Sequence, residues 1–103
     1  MNLYLQQFDW QNPNNPIEIV KFVRTGLNDD QLNILLNYLV QSRVKALVLS
    51  ANNLTDISLD AFLYFVEVNT RLKNVYLPKN FVNIMKSKAK INLLKEKGIN
   101  IYI

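Results

Sequence analysis

Among its 103 residues the chain has no cysteine and no histidine, and it has only two glycines, three prolines and one tryptophan. Without imidazole or thiolate it lacks the side chains that most readily exchange protons, attack carbonyls or bind soft metals near neutral pH. No disulfide framework can form, and no cofactor or metal is expected. Most familiar enzyme chemistries fall away on these grounds. Gly26 and Gly98 stand alone, so no glycine-rich phosphate loop is present. Ser50, Ser58 and Ser87 have no adjacent base to activate them.

Long apolar runs are also missing. Asn, Lys or Asp interrupts each apolar stretch well short of the roughly 18 residues a membrane-spanning helix needs. Residues 1–10 combine no basic segment with an apolar one, so no signal peptide is expected there. The absence of Cys fits a reducing compartment, and a cytoplasmic location follows as the expectation.

Half of the residues are hydrophobic, and their spacing is regular. Val44, Leu47, Leu49, Asn52 and Leu54 follow the pattern L-x-x-L-x-L-x-x-N-x-L. The pattern returns one period later as Leu72, Val75, Leu77, Asn80 and Val82. A degenerate copy stands one period before the first as Ile17, Val20, Phe22, Thr25 and Leu27, with Thr in the Asn position. Within each copy the alternation predicts a short strand with one row of side chains inward and the other outward. An Asn amide at the following turn can bond neighbouring backbone groups, which a hydrophobe cannot do.

Helices are predicted between the strands. Asn28-Asp29-Asp30 precedes Leu32, Leu35, Leu36 and Leu39, and Asp56 precedes Leu59, Phe62, Leu63 and Val66, both sets at helical spacing. Acidic residues in a first turn suit the helix dipole and need no catalytic reading. Ile84, Met85, Ile91 and Leu94 predict a last amphipathic helix, Gly98 its stop, and Ile99, Ile101 and Ile103 a closing strand. Leu3, Leu5 and Phe8 predict an N-terminal strand or extended cap. Residues 1–16 are read as a cap segment and 17–103 as one domain.

On the phrases LVLSANNLTD and VYLPKNFV the chain resembles leucine-rich repeat proteins of the cytosolic, ribonuclease-inhibitor-like class. The resemblance covers residues 17–82 by motif. It implies an α/β fold, a short right-handed solenoid with parallel strands on the concave face and helices on the convex face. It also implies a protein ligand bound through the concave or edge surface, by a module that is not an enzyme. In the strand frame Lys21, Ala46, Val48, Ser50, Asn74, Tyr76 and Tyr102 fall on that face, with Ile19, Val23, Pro78 and Asn100 beside them, and the register of the last strand leaves either Tyr102 or Asn100 in line with Tyr76. Tyr favours such a role because it offers large contact area at low entropic cost, although exposed Tyr and Val also simply suit strands.

From Val44 onward the order of elements also resembles the STAS domain of anti-sigma-factor antagonists, in which a phosphorylatable Ser sits at a strand-to-helix turn. Ser58 is the nearest match. It departs from that pattern because Leu59 stands where a Gly usually follows.

The net charge of +4 divides unevenly: residues 1–70 carry four basic and seven acidic side chains, and residues 71–103 carry eight basic and one acidic. Lys86, Lys88, Lys90, Lys95 and Lys97 fall on or after the last predicted helix, where they can meet an acidic protein, RNA or an anionic membrane, although lysines near a helix C-terminus also simply suit the dipole. Without an Arg cluster or interleaved aromatics, nucleic acid is not the expected partner. The alternating apolar strand at Ile99 to Ile103 would invite pairing with another chain, so a homodimer through that edge is an expectation. Fifteen Asn with abundant Ile and Lys suggest an AT-rich genome; the resemblance to leucine-rich repeat proteins, a class that also occurs among effectors of intracellular bacteria, implies either a host regulator or a bacterial effector translocated into a host cell.

Overall fold

A computed structural model describes residues 15–103. The expected N-terminal strand or cap at Leu3, Leu5 and Phe8 lies outside the described residues. The described part is an α/β fold of four parallel strands and three helices. Its elements are β1 (Ile19–Lys21), α1 (Asp29–Tyr38), β2 (Ala46–Val48), α2 (Ile57–Val68), β3 (Asn74–Tyr76), α3 (Ile84–Glu96) and β4 (Asn100–Tyr102). The strands pair in chain order, β1-β2-β3-β4.

Their register follows the sequence spacing: Val20 stands beside Leu47, Leu47 beside Val75, and Val75 beside Ile101. β1, β2 and β3 each start one residue before the first inward residue that alternation predicts, Val20, Leu47 and Val75, and β4 starts one residue after Ile99. Val20, Leu47 and Val75 are buried and share one core with Leu32, Leu35, Leu36 and Leu39 of the first helical segment and with Leu59, Phe62 and Phe65 of α2. Burying such side chains contributes roughly 1.5–3 kcal/mol each. Helices are therefore on one face of the sheet only, the face that carries the inward row.

Turns and caps follow local chemistry. Three residues past each of the first three strands, Arg24, Ala51 and Lys79 take φ of 57°, 59° and 62°, left-handed backbone that is uncommon outside glycine. The Asn28 side chain accepts from the Gln31 amide while the Gln31 side chain accepts from the Asn28 amide, a capping box at the start of α1. Asn83 caps α3 by accepting from the Lys86 amide. At the other end of α3, Gly98 at φ 95° donates its amide to Lys95, and Ile99 donates to Leu94. This is a Schellman ending, and its positive φ calls for glycine.

Two helical faces differ from the periodicity. In α2, Phe65 is buried alongside Leu59 and Phe62, whereas Leu63 and Val66 are only half-buried. In α3, Leu94 and Ser87 are buried and Ile91 half-buried, but Ile84 and Met85 are exposed. The Asn83 cap sets the phase of α3, so Ser87 and Lys90 take the places held by Leu32 and Leu35 in α1 and by Leu59 and Phe62 in α2.

Candidate functional site

The face of the sheet away from the helices is built from the outward row of each strand. Strand register aligns Lys21, Val48, Tyr76 and Tyr102 in one line and Ile19, Ala46, Asn74 and Asn100 in the next. With strands about 4.8 Å apart, each line runs about 14 Å across the sheet. Ser50 and Pro78 continue the surface past β2 and β3 and are half-buried, and Val23 past β1 is exposed. Six of the seven residues expected on this face lie in its two lines, and Ser50 follows just past β2.

The strand register also resolves the last strand, for which alternation alone left Asn100 and Tyr102 interchangeable. Tyr102 lies beside Tyr76, with ring centroids 4.6 Å apart and planes 10° from parallel. Asn100 Nδ2 and the Tyr102 hydroxyl both donate to Asn74 Oδ1, at 3.3 Å each. Asn74 thereby ties the two lines together at the β3–β4 end. The surface grades from aromatic and amide groups at that end, through small Ala46 and Val48, to the exposed cation of Lys21. No ion pair holds Lys21 among the described residues, whereas Lys45 at the rim is 3.3 Å from Glu18. Aromatic rings, amides and one cation can contact a partner, but they supply no matched acid and base.

The strands are held at this spacing by the side-chain amides of buried Asn52 and Asn69 and half-buried Asn80. Asn52 Oδ1 accepts from the Thr25 amide, the Thr25 hydroxyl and the Leu27 amide, while its Nδ2 donates to the carbonyls of Phe22, Leu49 and Ser50. Asn80 Oδ1 accepts from the Leu54 amide and its Nδ2 donates to Leu49 and Leu77. Asn69, which the motif does not include, donates to Leu39 and Val40 from one side of the helix layer and accepts from the Arg71 and Leu72 amides.

Ser58 does not stand at an exposed turn. It lies in the first turn of α2, buried, and its hydroxyl donates to Asp29 Oδ1. Asp29 also accepts from the Thr55 amide at 3.0 Å and the Thr55 hydroxyl at 2.6 Å. A first-turn carboxylate that the helix dipole alone would explain therefore also clamps two segments together. Burial raises the Asp29 pKa, but the bonds from Ser58 and Thr55 outweigh it and leave the carboxyl below its usual range. A carboxyl depressed in the fold contributes stability above its unfolded pKa, about 3.9, and that contribution is lost as pH falls through the folded value. Asp29→Asn is expected to be less stable than the parent at pH 7 and to lose less stability between pH 7 and pH 3, as urea melts at the two pH values will read.

On the opposite side of the molecule a groove of ≈ 340 Å³ runs between α1 and α2, lined by Asn33, Leu36 and Val40 from the first helical segment and by Ala61, Tyr64 and Val68 from the second. Its lining contains no pair of groups for proton transfer. Among the described residues no cluster of metal-ligating side chains occurs, and no helix is long and apolar enough to cross a membrane. Comparisons with protein-family models, with curated proteins and with solved structures give no match.

Proposed function

We propose that the chain is a non-enzymatic protein-interaction module of the leucine-rich repeat kind, a short right-handed solenoid that binds a partner protein through its concave strand face. Support for the repeat reading comes from positions that recur once per period and do the same work. Arg24, Ala51 and Lys79 share one unusual backbone conformation, and Asn52 and Asn80 each bond the backbone of the preceding strand–turn segment.

The observation that carries the binding proposal is the stacked Tyr76–Tyr102 pair in line with Val48 and Lys21 on a sheet face that none of the described helices covers. Aromatic residues and amides of this kind are enriched where proteins meet. Four strands give a small surface, so the footprint falls near the lower end of specific interfaces, roughly 800 Å² a side. Such a module masks or positions its partner rather than wrapping it. The STAS-like reading gains nothing from the position of Ser58, whose hydroxyl is buried against Asp29.

Replacing Val48 and Tyr76 together by Glu tests the proposal. The double variant is expected to keep its thermal midpoint within a few degrees, because both side chains are on the outer face, and to lose the partner that the parent captures. Retention of the same partner by the folded variant would sink the strand-face assignment.

A further inference from the structure

The side of the fold beyond β4 and α3 is chemically unlike the contacts between its internal elements. Asp60 of α2 meets Lys90 of α3 at 2.9 Å, and Glu67 of α2 meets Lys97, which ends α3, at 2.7 Å. Asp60 and Glu67 are thus the residues that α2 turns toward the following helix. One helix earlier the same places belong to Asn33 and Val40, which line the groove facing α2. One helix later they belong to Lys88 and Lys95. Both of these are exposed, and neither side chain has an ion-pair partner among the described residues.

The same side is open in other ways. Asn100 donates to the Lys73 carbonyl and Tyr102 accepts from the Leu77 amide. Backbone groups alternate in direction along a strand, so the amide and carbonyl of Ile101 face outward from β4. Ile101 is only half-buried, whereas its counterparts Leu47 and Val75 are fully buried. Phe81 and Ile84, before and at the start of α3, and Ile103, just past β4, are exposed. The amides of Leu27 and Leu54 are each bonded by an Asn from the next segment, but that of Val82, the corresponding residue, has no protein partner among the described residues.

We infer that this side receives an extended acidic segment of a partner protein, added as a strand to β4 with carboxylates against Lys88 and Lys95. Strand addition supplies main-chain affinity, and side chains in the inward row supply specificity. A second copy of the chain is the poorer occupant. Pairing β4 with β4 about a two-fold axis would bring Lys88 and Lys95 of both copies to the same seam, and like charge there opposes association. This inference is independent of the outer sheet face, and Val48→Glu is expected to leave it unchanged.

A labelled synthetic peptide of alternating Glu and Val, titrated against the full chain and followed by fluorescence anisotropy, tests it. Binding is expected to weaken with salt and to fall about tenfold or more in the Lys88→Glu, Lys95→Glu double variant. Lys86→Glu is expected to change it by less than about twofold, and the Ile101 amide to gain protection from hydrogen exchange in the complex. The inference is overturned by an equal loss in Lys86→Glu or by an Ile101 amide that exchanges unchanged. It is equally overturned if anionic phospholipid vesicles or an RNA oligonucleotide bind through Lys88 and Lys95 while the peptide does not, or if the chain alone dimerises through β4 in sedimentation.

Discussion

Asn52→Leu is expected to lower the free energy of unfolding by about 3–5 kcal/mol, a large part of what holds a domain of this size together. The Asn52 side chain is buried. Its oxygen takes the amides of Thr25 and Leu27, and its nitrogen reaches the carbonyl of Phe22 on the same neighbouring segment, at 2.6 Å, and that of Leu49 on its own. Leucine has similar bulk, so the loss is not one of volume. Several backbone groups instead stay buried without partners, each costing about 1–3 kcal/mol. Local relaxation and water entry reduce the sum. Asn52→Asp is expected to be no better, because a carboxylate cannot donate to the Phe22 and Leu49 carbonyls and brings a charge among them. Asn80→Leu is expected to cost less, since Asn80 is half-buried and makes three such bonds. Urea denaturation of the three variants gives the order directly, and an Asn52→Leu protein as stable as the parent would remove the amide from its structural role.

Phe62→Ala is expected to cost about 3–5 kcal/mol by loss of buried apolar surface and the cavity left behind. Phe62 is fully buried at the middle of α2 and is the largest side chain of the fully buried core. Its place in the fold is shared by Leu35 in α1, also fully buried, and by Lys90 in α3. The comparison within this row isolates the effect of burial. Lys90 is half-exposed and its amine pairs with Asp60 across the surface, so Lys90→Ala is expected to cost no more than about 1 kcal/mol. A thermal melt of both variants checks the contrast. Comparable losses at the two positions would mean that α3 is packed as tightly as α2, against the exposure of Ile84, Met85 and Leu93.

Much of the strand layer was legible before any coordinates. Alternation put Val20, Leu47 and Val75 inward, and a strand has only two faces, so the outward row followed at once. The first helical segment was equally legible because its four leucines form one stripe behind a capping Asn. The last helix was not. Ile84 and Met85 fit a helical stripe by spacing, but periodicity does not say which of two faces meets the core when both carry apolar residues. The Asn83 cap and the Schellman ending at Gly98 fixed that phase, and they left Ser87 inside and Met85 in solvent.

Charge was the least legible property. Counting residues separated an acidic body from a basic C-terminal third, and it read the five lysines there as one group. In the fold Lys90 and Lys97 are taken up by Asp60 and Glu67, while Lys86, Lys88 and Lys95 have no ion-pair partner among the described residues. Likewise Asp29 read as one more first-turn acid, although it accepts three bonds from Thr55 and Ser58, 26 and 29 residues further along the chain.

By itself, then, the sequence determined the periods: which residues face inward along each strand, where the buried Asn falls, and that no imidazole or thiol is available for chemistry. Those are local properties, set by backbone geometry and side-chain type. The tertiary structure alone decided the partners. The Tyr76–Tyr102 stack, the rotation of α3 and the division of the lysines into paired and unpaired all depend on distances between segments far apart in the chain, and such distances are set by packing.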